Sequence, residues 1–250
     1  MSRRHRLRTR ALVATLSVAA APTLLAIALV AGAGPLHRFG VLALEQAIDL
    51  LRFGAAAALA MALLMAVLGA LCLYCRRAFL AASALVLAAA SATAFALPWH
   101  HQRQAEGVPA IHDITTDTEN PPAFVALAEA REAAPNALAY PGESFARQQR
   151  EYYPEIESLQ LAAAPEEVFE RAVAAAHAKG WDIAASDADK GKLEATATTP
   201  WFGFRDDIVV RVRTDSEGTQ VDVRSASRVG QSDLGTNARR IRSYLARLQD

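Results

Sequence analysis

The sequence predicts an α+β protein with three transmembrane helices, followed by an extracytoplasmic domain of order β-α-β-β-β-β-α with one antiparallel sheet and helices on one face. Three observations predict it. Three long apolar runs occupy the first hundred residues, and period-two alternation recurs in the last sixty. Charge is divided unevenly: residues 1–104 carry ten basic and two acidic side chains, and residues 105–250 carry sixteen and twenty-four, a net of −8. Such asymmetry is typical of a membrane part joined to an aqueous part.

Each apolar run is long enough to cross a hydrocarbon core, which needs roughly 20 residues. After a basic tail at 1–10, we place the spans at about 11–35, 53–75 and 78–99. Residues 38–52 have an amphipathic pattern, which predicts a helix that lies on the membrane surface or continues the second span.

The arginines near the span ends predict the orientation. Five arginines precede the first span, and Arg76 and Arg77 separate the second from the third. Both groups are expected in the cytoplasm, so everything after Trp99 is expected outside it. The first span is too long for a typical cleaved signal and is interpreted as an anchor. Cys72 and Cys75 lie within an apolar helix, where ordinary helix packing is the favoured interpretation.

Residues 100–155 are interpreted as an acidic neck that holds six of the eleven prolines. Two short helices are expected in it. One opens at Pro121 and continues through FVALAEARE, and the other covers Glu143–Tyr152. The neck is expected to wrap the domain or the membrane surface.

Residues 156–250 are interpreted as the α+β domain. A short strand in IESLQLA precedes a helix that begins at Pro165 and ends at Lys179-Gly180. Four strands and a last helix follow, at about 181–186, 192–198, 208–213, 221–225 and 234–248. Cross-strand ion pairs are expected on a solvent-facing side of the sheet, formed by Glu194, Arg211, Arg213, Asp222 and Arg224.

Two stretches could carry a ligand or partner site. TTPWFGFRDD is expected to close the corner of the sheet, and it could border a site; its candidate residues are Trp201, Phe202, Phe204, Arg205, Asp206 and Asp207. In SASRVGQSDLGTNARR, a helix N-terminus after a glycine-containing loop could hold an anion, although capping and salt bridges explain the same residues. Its candidates are Arg228, Ser232, Asp233, Asn237 and Arg240.

A third stretch, IHDITTDTEN at 111–120, offers carboxylates to a hard cation, but its spacing matches no calcium loop, and a solvated loop is favoured. The catalytic motifs of hydrolases, nucleotide-binding proteins and zinc proteases are absent from the sequence. We therefore predict no catalytic residue, no metal and no cofactor.

The order of HDITTD, PPAF, YPG, the run ATATTPWFGFRDD and the run SRVGQSDLGTNARRI resembles the bacterial membrane-anchored branch of the domain-of-unknown-function family numbered 1499. The resemblance covers residues 111–250. It implies a small α+β domain beside transmembrane segments, and no established activity. Some members carry cysteines near the first motifs, which this chain lacks there, so no disulfide is carried over. The family positions found here are Phe202, Phe204, Asp206, Asp207, Ser227, Arg228, Gly230, Ser232, Asp233, Gly235, Asn237 and Arg240.

The expected function is that of a non-enzymatic, multi-pass protein of the bacterial inner membrane with a cytoplasmic N-terminus. Its partners would be the membrane itself and an envelope protein or lipid, and not nucleic acid. The alternative is binding of a lipid or a small anionic ligand by the α+β domain, with Arg205, Arg228 and Arg240 holding an anionic head group. An envelope hydrolase is a third possibility.

Overall fold

The computed structural model describes residues 3–216 and 218–249. Met1 and Ser2 of the predicted basic tail, Asp250, and Glu217 of the turn that the sequence DSEG predicts at 215–218 lie outside these described residues. The chain divides into two compact units. Met1–Arg103 and Trp201–Gly203 form the first, and Gln104–Pro200 and Phe204–Asp250 form the second.

The first unit is built from three long helices: α1 (Arg3–Arg38), α2 (Leu44–Tyr74) and α3 (Ala78–Glu106). Each contains a stretch that is long and apolar enough to cross a membrane, at Arg10–Arg38, Leu44–Tyr74 and Ala78–Gln104. The three predicted apolar helices are therefore confirmed.

The stretch 38–52 is not a separate surface helix. α1 ends at Arg38, and residues 44–52 form the first turns of α2. Small side chains of α3 take part in the packing of the helices, since Ala81 and Ala84 lie in one buried cluster with Met65 of α2. Cys72 lies in the same cluster, so its environment is that of a packed helix.

The second unit contains an antiparallel sheet of six strands: β1 (Asp113–Thr115), β2 (Leu159–Leu161), β3 (Asp182–Asp187), β4 (Lys192–Thr198), β5 (Arg205–Asp215) and β6 (Gly218–Ser227). The order is β1-β6-β5-β4-β3, and β2 also pairs with β6. The helices are α4 (Ala128–Glu132), α5 (Glu143–Tyr152), α6 (Pro165–Ala178) and α7 (Thr236–Gln249). From β2 to α7 the predicted order β-α-β-β-β-β-α is confirmed.

One face of the sheet forms the main core with α6 and α7. The alternating apolar residues of β4, β5 and β6 point to this face, and Ile208, Val210 and Val223 are almost completely buried. Trp181 stacks on Tyr244 of α7, with ring centroids 4.8 Å apart. The expectation that alternation identifies the core positions is correct here.

The opposite face is covered by residues 117–138, so the expected solvent-facing side is wrong. Phe124 and Leu127 pack there on Val209 and Ala226. Charged side chains are normally solvated, which is why the polar positions suggested a wet face. Of the five charged residues that were expected to face solvent, Glu194, Asp222 and Arg224 are buried and Arg211 and Arg213 are half-buried.

Of the residues that the sequence assigned to a neck, 104–155 thus lie in the second unit and 100–103 in the first. β1 pairs with β6 through Asp113, Ile114 and Thr115, and α5 forms at its predicted bounds. The first neck helix is shorter than expected and begins at Ala128. Residues 124–127 are not helical because two of their amides bond to a buried carboxylate on the sheet instead of to preceding carbonyls.

Candidate functional site

The adjacent acids of the FRDD motif point to opposite faces of the sheet. Successive side chains of a strand alternate in direction. In β5, Asp206 therefore shares a face with Ile208, which belongs to the main core, and Asp207 shares the other face with Val209. The two acids consequently belong to two separate clusters.

The Asp207 cluster comprises Asp207, Arg228, Arg131 and Thr196. Arg228 donates through Nε at 2.9 Å to Oδ2 and through Nη2 at 2.9 Å to Oδ1. Arg131 Nη1 donates to Oδ2 at 3.1 Å, and the Thr196 hydroxyl donates to Oδ1 at 2.8 Å. Asp207 is completely buried. Of the two adjacent acids, Asp207 is therefore the one that pairs with Arg228.

Sequence reasoning missed two members of this cluster, Thr196 and the more deeply engaged Arg131. Its side chain is completely buried, and burial lowers its pKa, an effect that the charge of Asp207 opposes. It also donates to the carbonyls of Ala226 and Ala137, and it lies 4.8 Å above the ring of Phe124. The only sequence signal was an arginine in a short helix, which ordinarily indicates a solvated face.

The Asp206 cluster joins β5 and β6 to α7. Arg240 donates to Asp206 at 2.5 Å and to the hydroxyl of Ser225 at 3.0 Å. Asn237, which is buried, accepts a bond from Ser225 at 2.7 Å and donates to Ser227 at 3.1 Å. The cluster thus brings together two predicted candidates of the second stretch and one of the first.

The corner loop, which we define as residues 228–235, ends in a side-chain cap on α7. The carboxylate of Asp233 accepts bonds from the amides of Asn237 and Gly235, at 2.6 and 2.9 Å. The Ser232 hydroxyl accepts a bond from the amide of Leu234 at 3.2 Å. Burial raises the pKa of Asp233, although both amide bonds act in the opposite direction.

The sequence had suggested that the last helix begins at Leu234, but Leu234 lies outside α7. It precedes α7 in a left-handed conformation with φ of 55°. The cap at Asp233 explains the difference, because it satisfies amides at the start of α7 and places the helix boundary at Thr236.

Glu194 holds the turn that begins the cover of the second face. Its two carboxylate oxygens accept bonds from the amides of Val125 and Leu127, at 2.8 and 3.0 Å. Lys192 lies 3.2 Å from the same carboxylate. The turn presents the Val125 side chain outward, where it is 69% exposed. Glu194, on the covered face of the sheet, therefore anchors a segment that precedes it by 67 to 69 residues in the chain.

A second buried arginine, Arg224, fixes β1 and the remainder of the cover. It donates to both oxygens of Asp113, at 2.9 and 2.7 Å, and to the carbonyls of Pro122 and Leu138. Its guanidinium lies 4.8 Å from the ring centroid of Phe124, on which Arg131 also packs. This arrangement was hidden in the sequence because Asp113 and Arg224 are 111 residues apart.

Asp113 and Asp117 of IHDITTDTEN are also engaged within the domain. Asp117 accepts bonds from the amide of Asn120 at 2.8 Å and from Arg211 at 3.0 Å. Arg211 also pairs with Asp222 at 2.8 Å. Within residues 3–216 and 218–249, no group of three His, Cys, Asp or Glu residues has the proximity that a metal ion requires. The geometry favours a braced turn at this stretch.

The remaining candidates of TTPWFGFRDD lie apart from the two clusters. Trp201 and Phe202 belong to the first unit, where their rings meet edge to face with centroids 5.0 Å apart. Phe204 and Thr199 close the strand connection, since the Thr199 amide donates to the Phe204 carbonyl at 2.8 Å and the Phe204 amide donates to the Thr199 hydroxyl at 2.9 Å. Arg205 is exposed, and its carbonyl accepts the amide of Arg228 at 3.0 Å.

The polar groups of the two clusters form bonds between different segments of the same domain. Each carboxylate has a cation, a hydroxyl or backbone amides as its partner, and Arg228 and Arg240 are directed to Asp207 and Asp206. Such an arrangement fixes segments that are distant in sequence. Two of the three arginines that could have held an anionic head group are thus committed to internal carboxylates.

The fold and these clusters define the class: an α+β domain braced by buried ion pairs, in a chain with three apolar helices. Residues 113–248 match the family described as protein of unknown function (DUF1499). The match covers more than half of the chain, and the protein belongs to this family. No curated protein matches the chain.

Proposed function

We propose that the protein is a non-enzymatic integral membrane protein of the bacterial inner membrane, which presents its α+β domain on the extracytoplasmic side for binding to an envelope protein. One observation carries the proposal: the two acids of the FRDD motif, Asp206 and Asp207, are held in internal ion pairs, of which the buried Asp207 cluster is the clearer. A general acid or base needs a group that is free to reach a substrate, whereas these carboxylates brace the fold.

The proposed orientation rests on the basic residues beside the helices. Arginines in short cytoplasmic segments determine how a helix bundle inserts. Arg76 and Arg77 lie between α2 and α3, and five arginines occur within the first ten residues. A C-terminal fusion of the full chain to alkaline phosphatase should be active and a fusion to green fluorescent protein dark. The reverse pattern would refute the orientation.

The proposed contact surface combines residues 125–136, which include α4, with the corner loop. Asn136 donates to the carbonyls of Ser227 and Gly230, at 3.0 and 2.9 Å, and its amide donates to the Arg228 carbonyl at 3.1 Å. The two segments therefore form one fixed surface, which displays Val125. A fixed surface loses little conformational entropy on binding. Residues 105–250 carry a net charge of −8, so we expect a basic partner and binding that weakens with salt.

A photoreactive amino acid at position 125 of the full-length protein, in its native membrane, tests this surface. We expect one discrete adduct that becomes weaker as salt is added. Position 152 is the matched control, because Tyr152 is also a large exposed side chain, 51% exposed, outside the proposed surface. Equal labelling at the two positions, or none at position 125, would contradict the proposal. A small bound mass on the purified protein, detected by native mass spectrometry, would favour the ligand-binding alternative.

A further inference from the structure

An apolar groove of about 420 Å³ runs along the first unit between α1 and α3. Its walls include Ile27 and Val30 of α1 and Ala90, Ala94 and Leu97 of α3. The volume lies in the range of small-molecule pockets, about 300–1,000 Å³. Small residues create the space, because Ala90 and Ala94 lie one turn apart on the same side of α3.

Trp201 lies at one end of this groove, where it bonds to a backbone carbonyl of α1 that has no donor within the helix. Pro35 lies inside α1 and has no amide hydrogen, so the Ala31 carbonyl, four residues earlier, loses its helical donor. The Trp201 indole nitrogen donates to that carbonyl at 3.2 Å. Gly34 leaves the room, since a Cβ there would lie 2.7 Å from the indole ring.

The bond matters because of the surroundings of α1. At the boundary of the hydrocarbon an unpaired backbone carbonyl has little water to bond to, so a donor from elsewhere in the protein is favourable. Trp201 supplies this donor and at the same time places its ring, 38% exposed, at the end of the groove. A specific hydrogen bond to α1 therefore holds Trp201 in position.

The same end of the groove has the composition of a membrane interface. His101 lines it, and Arg103 lies 5.0 Å over the ring of Trp99, which is 48% exposed. Aromatic and basic residues of this kind occur at head-group depth. Pro98 also removes the helical donor of the Ala94 carbonyl, which can then accept a bond from a hydroxyl group.

We infer that this groove binds the acyl chain of an anionic phospholipid, with the head group beside His101 and Arg103. The inference rests on the proposed placement of the three helices in the membrane. Helices that cross a membrane expose such a groove to lipid, and the basic residues at its end select a negative phosphate with hydroxyl groups, as in phosphatidylglycerol.

Native mass spectrometry of the full-length protein, released from vesicles of phosphatidylglycerol and phosphatidylcholine, tests the inference. Ala90→Phe fills the groove, and Ala92→Phe is the matched control on another exposed side of α3. We expect wild type and Ala92→Phe to retain phosphatidylglycerol, and Ala90→Phe to lose it about tenfold, the effect of losing contact with two methylene groups. Equal retention by all three proteins, or retention by none, would overturn the inference. Equal retention of phosphatidylcholine would overturn the head-group assignment.

A second measurement does not depend on the folding of the filled variant. Trp201 is made the sole tryptophan by Trp99→Phe and Trp181→Phe, and its fluorescence is quenched with lipids brominated on the acyl chain. Quenching by phosphatidylglycerol should exceed quenching by phosphatidylcholine, whereas Trp181, which is buried in the core of the second unit, should show no preference as sole tryptophan. Absence of a preference at Trp201 would overturn the inference. Release of the protein by alkaline carbonate would instead refute the membrane placement, so the two failures are distinguishable.

Discussion

Replacing Asp207 by alanine should destabilise the second unit strongly, because it removes the anion between two arginines. Arg131 is completely buried, and the Arg228 side chain is 15% exposed. Removing one partner of a buried ion pair costs about 3–5 kcal/mol, since the remaining charge stays buried without compensation. Arg131 keeps its bonds to two carbonyls, so we expect a loss within this range and not above it.

Urea unfolding of the full-length chain in detergent micelles measures this loss. Trp181, buried against Tyr244, reports on the second unit when Trp99 and Trp201 are replaced by phenylalanine. With a denaturant slope of about 2 kcal/mol/M, the midpoint should fall by about 2 M. A typical domain has a free energy of unfolding of about 5–15 kcal/mol, so this would be a large part of the total.

Asp187→Ala is the matched control. The substitution is the same, but it removes an exposed ion pair with Lys190, and such pairs contribute little to the free energy of unfolding. Its midpoint should shift by less than about a quarter of the Asp207→Ala shift. A double-mutant cycle with Arg131→Met should give a coupling above about 1 kcal/mol. Equal shifts for the two aspartates, or additive effects in the cycle, would refute the role assigned to the Asp207 cluster.

Three further predictions use the same assay. Glu194→Gln should cost about 1–3 kcal/mol, because only one of the two amides that its carboxylate binds keeps an oxygen acceptor. Gly191→Ala should destabilise the second unit far more than Gly142→Ala. Both glycines have positive φ, but only at 191 would a Cβ lie 2.1 Å from a backbone oxygen. Equal losses of stability for the two variants would refute this clash. The raised pKa of Asp233 contributes stability that is present below about pH 3.9 and is lost as pH rises through its folded value. Asp233→Asn keeps a capping side chain and should therefore be more favourable at pH 7 than at pH 4, and a pH-independent effect would contradict the shift.

Local rules predicted much of this fold. The apolar runs predicted the three long helices, and alternation predicted β4 at its observed bounds, Lys192–Thr198. Pro165 and Gly180 bounded α6 as expected, because proline is suited to the first turn of a helix and glycine to the left-handed position after its end. These features depend on neighbours in the chain, and the sequence contains that information directly.

The covered face could not be predicted in the same way. Glu194 and Arg224 alternate with apolar residues, and alternation alone states only that one face is polar. Whether that face meets water depends on partners such as Asp113 and Arg131, which lie 111 residues from Arg224 and 76 residues from Asp207. The candidate site shows the same limit: proximity in sequence suggested Asp206 and Asp207 as one unit, and strand geometry separates them.

That separation gives the FRDD motif a physical explanation. Asp206 ties the sheet to α7 through Arg240, and Asp207 ties it to the opposite cover through Arg131 and to the corner loop through Arg228. Two adjacent residues thus brace both layers of the domain, and neither can be exchanged without leaving a buried or half-buried arginine uncompensated. A recognisable motif therefore need not mark a reaction centre; here its acids secure the surface that we propose binds the partner.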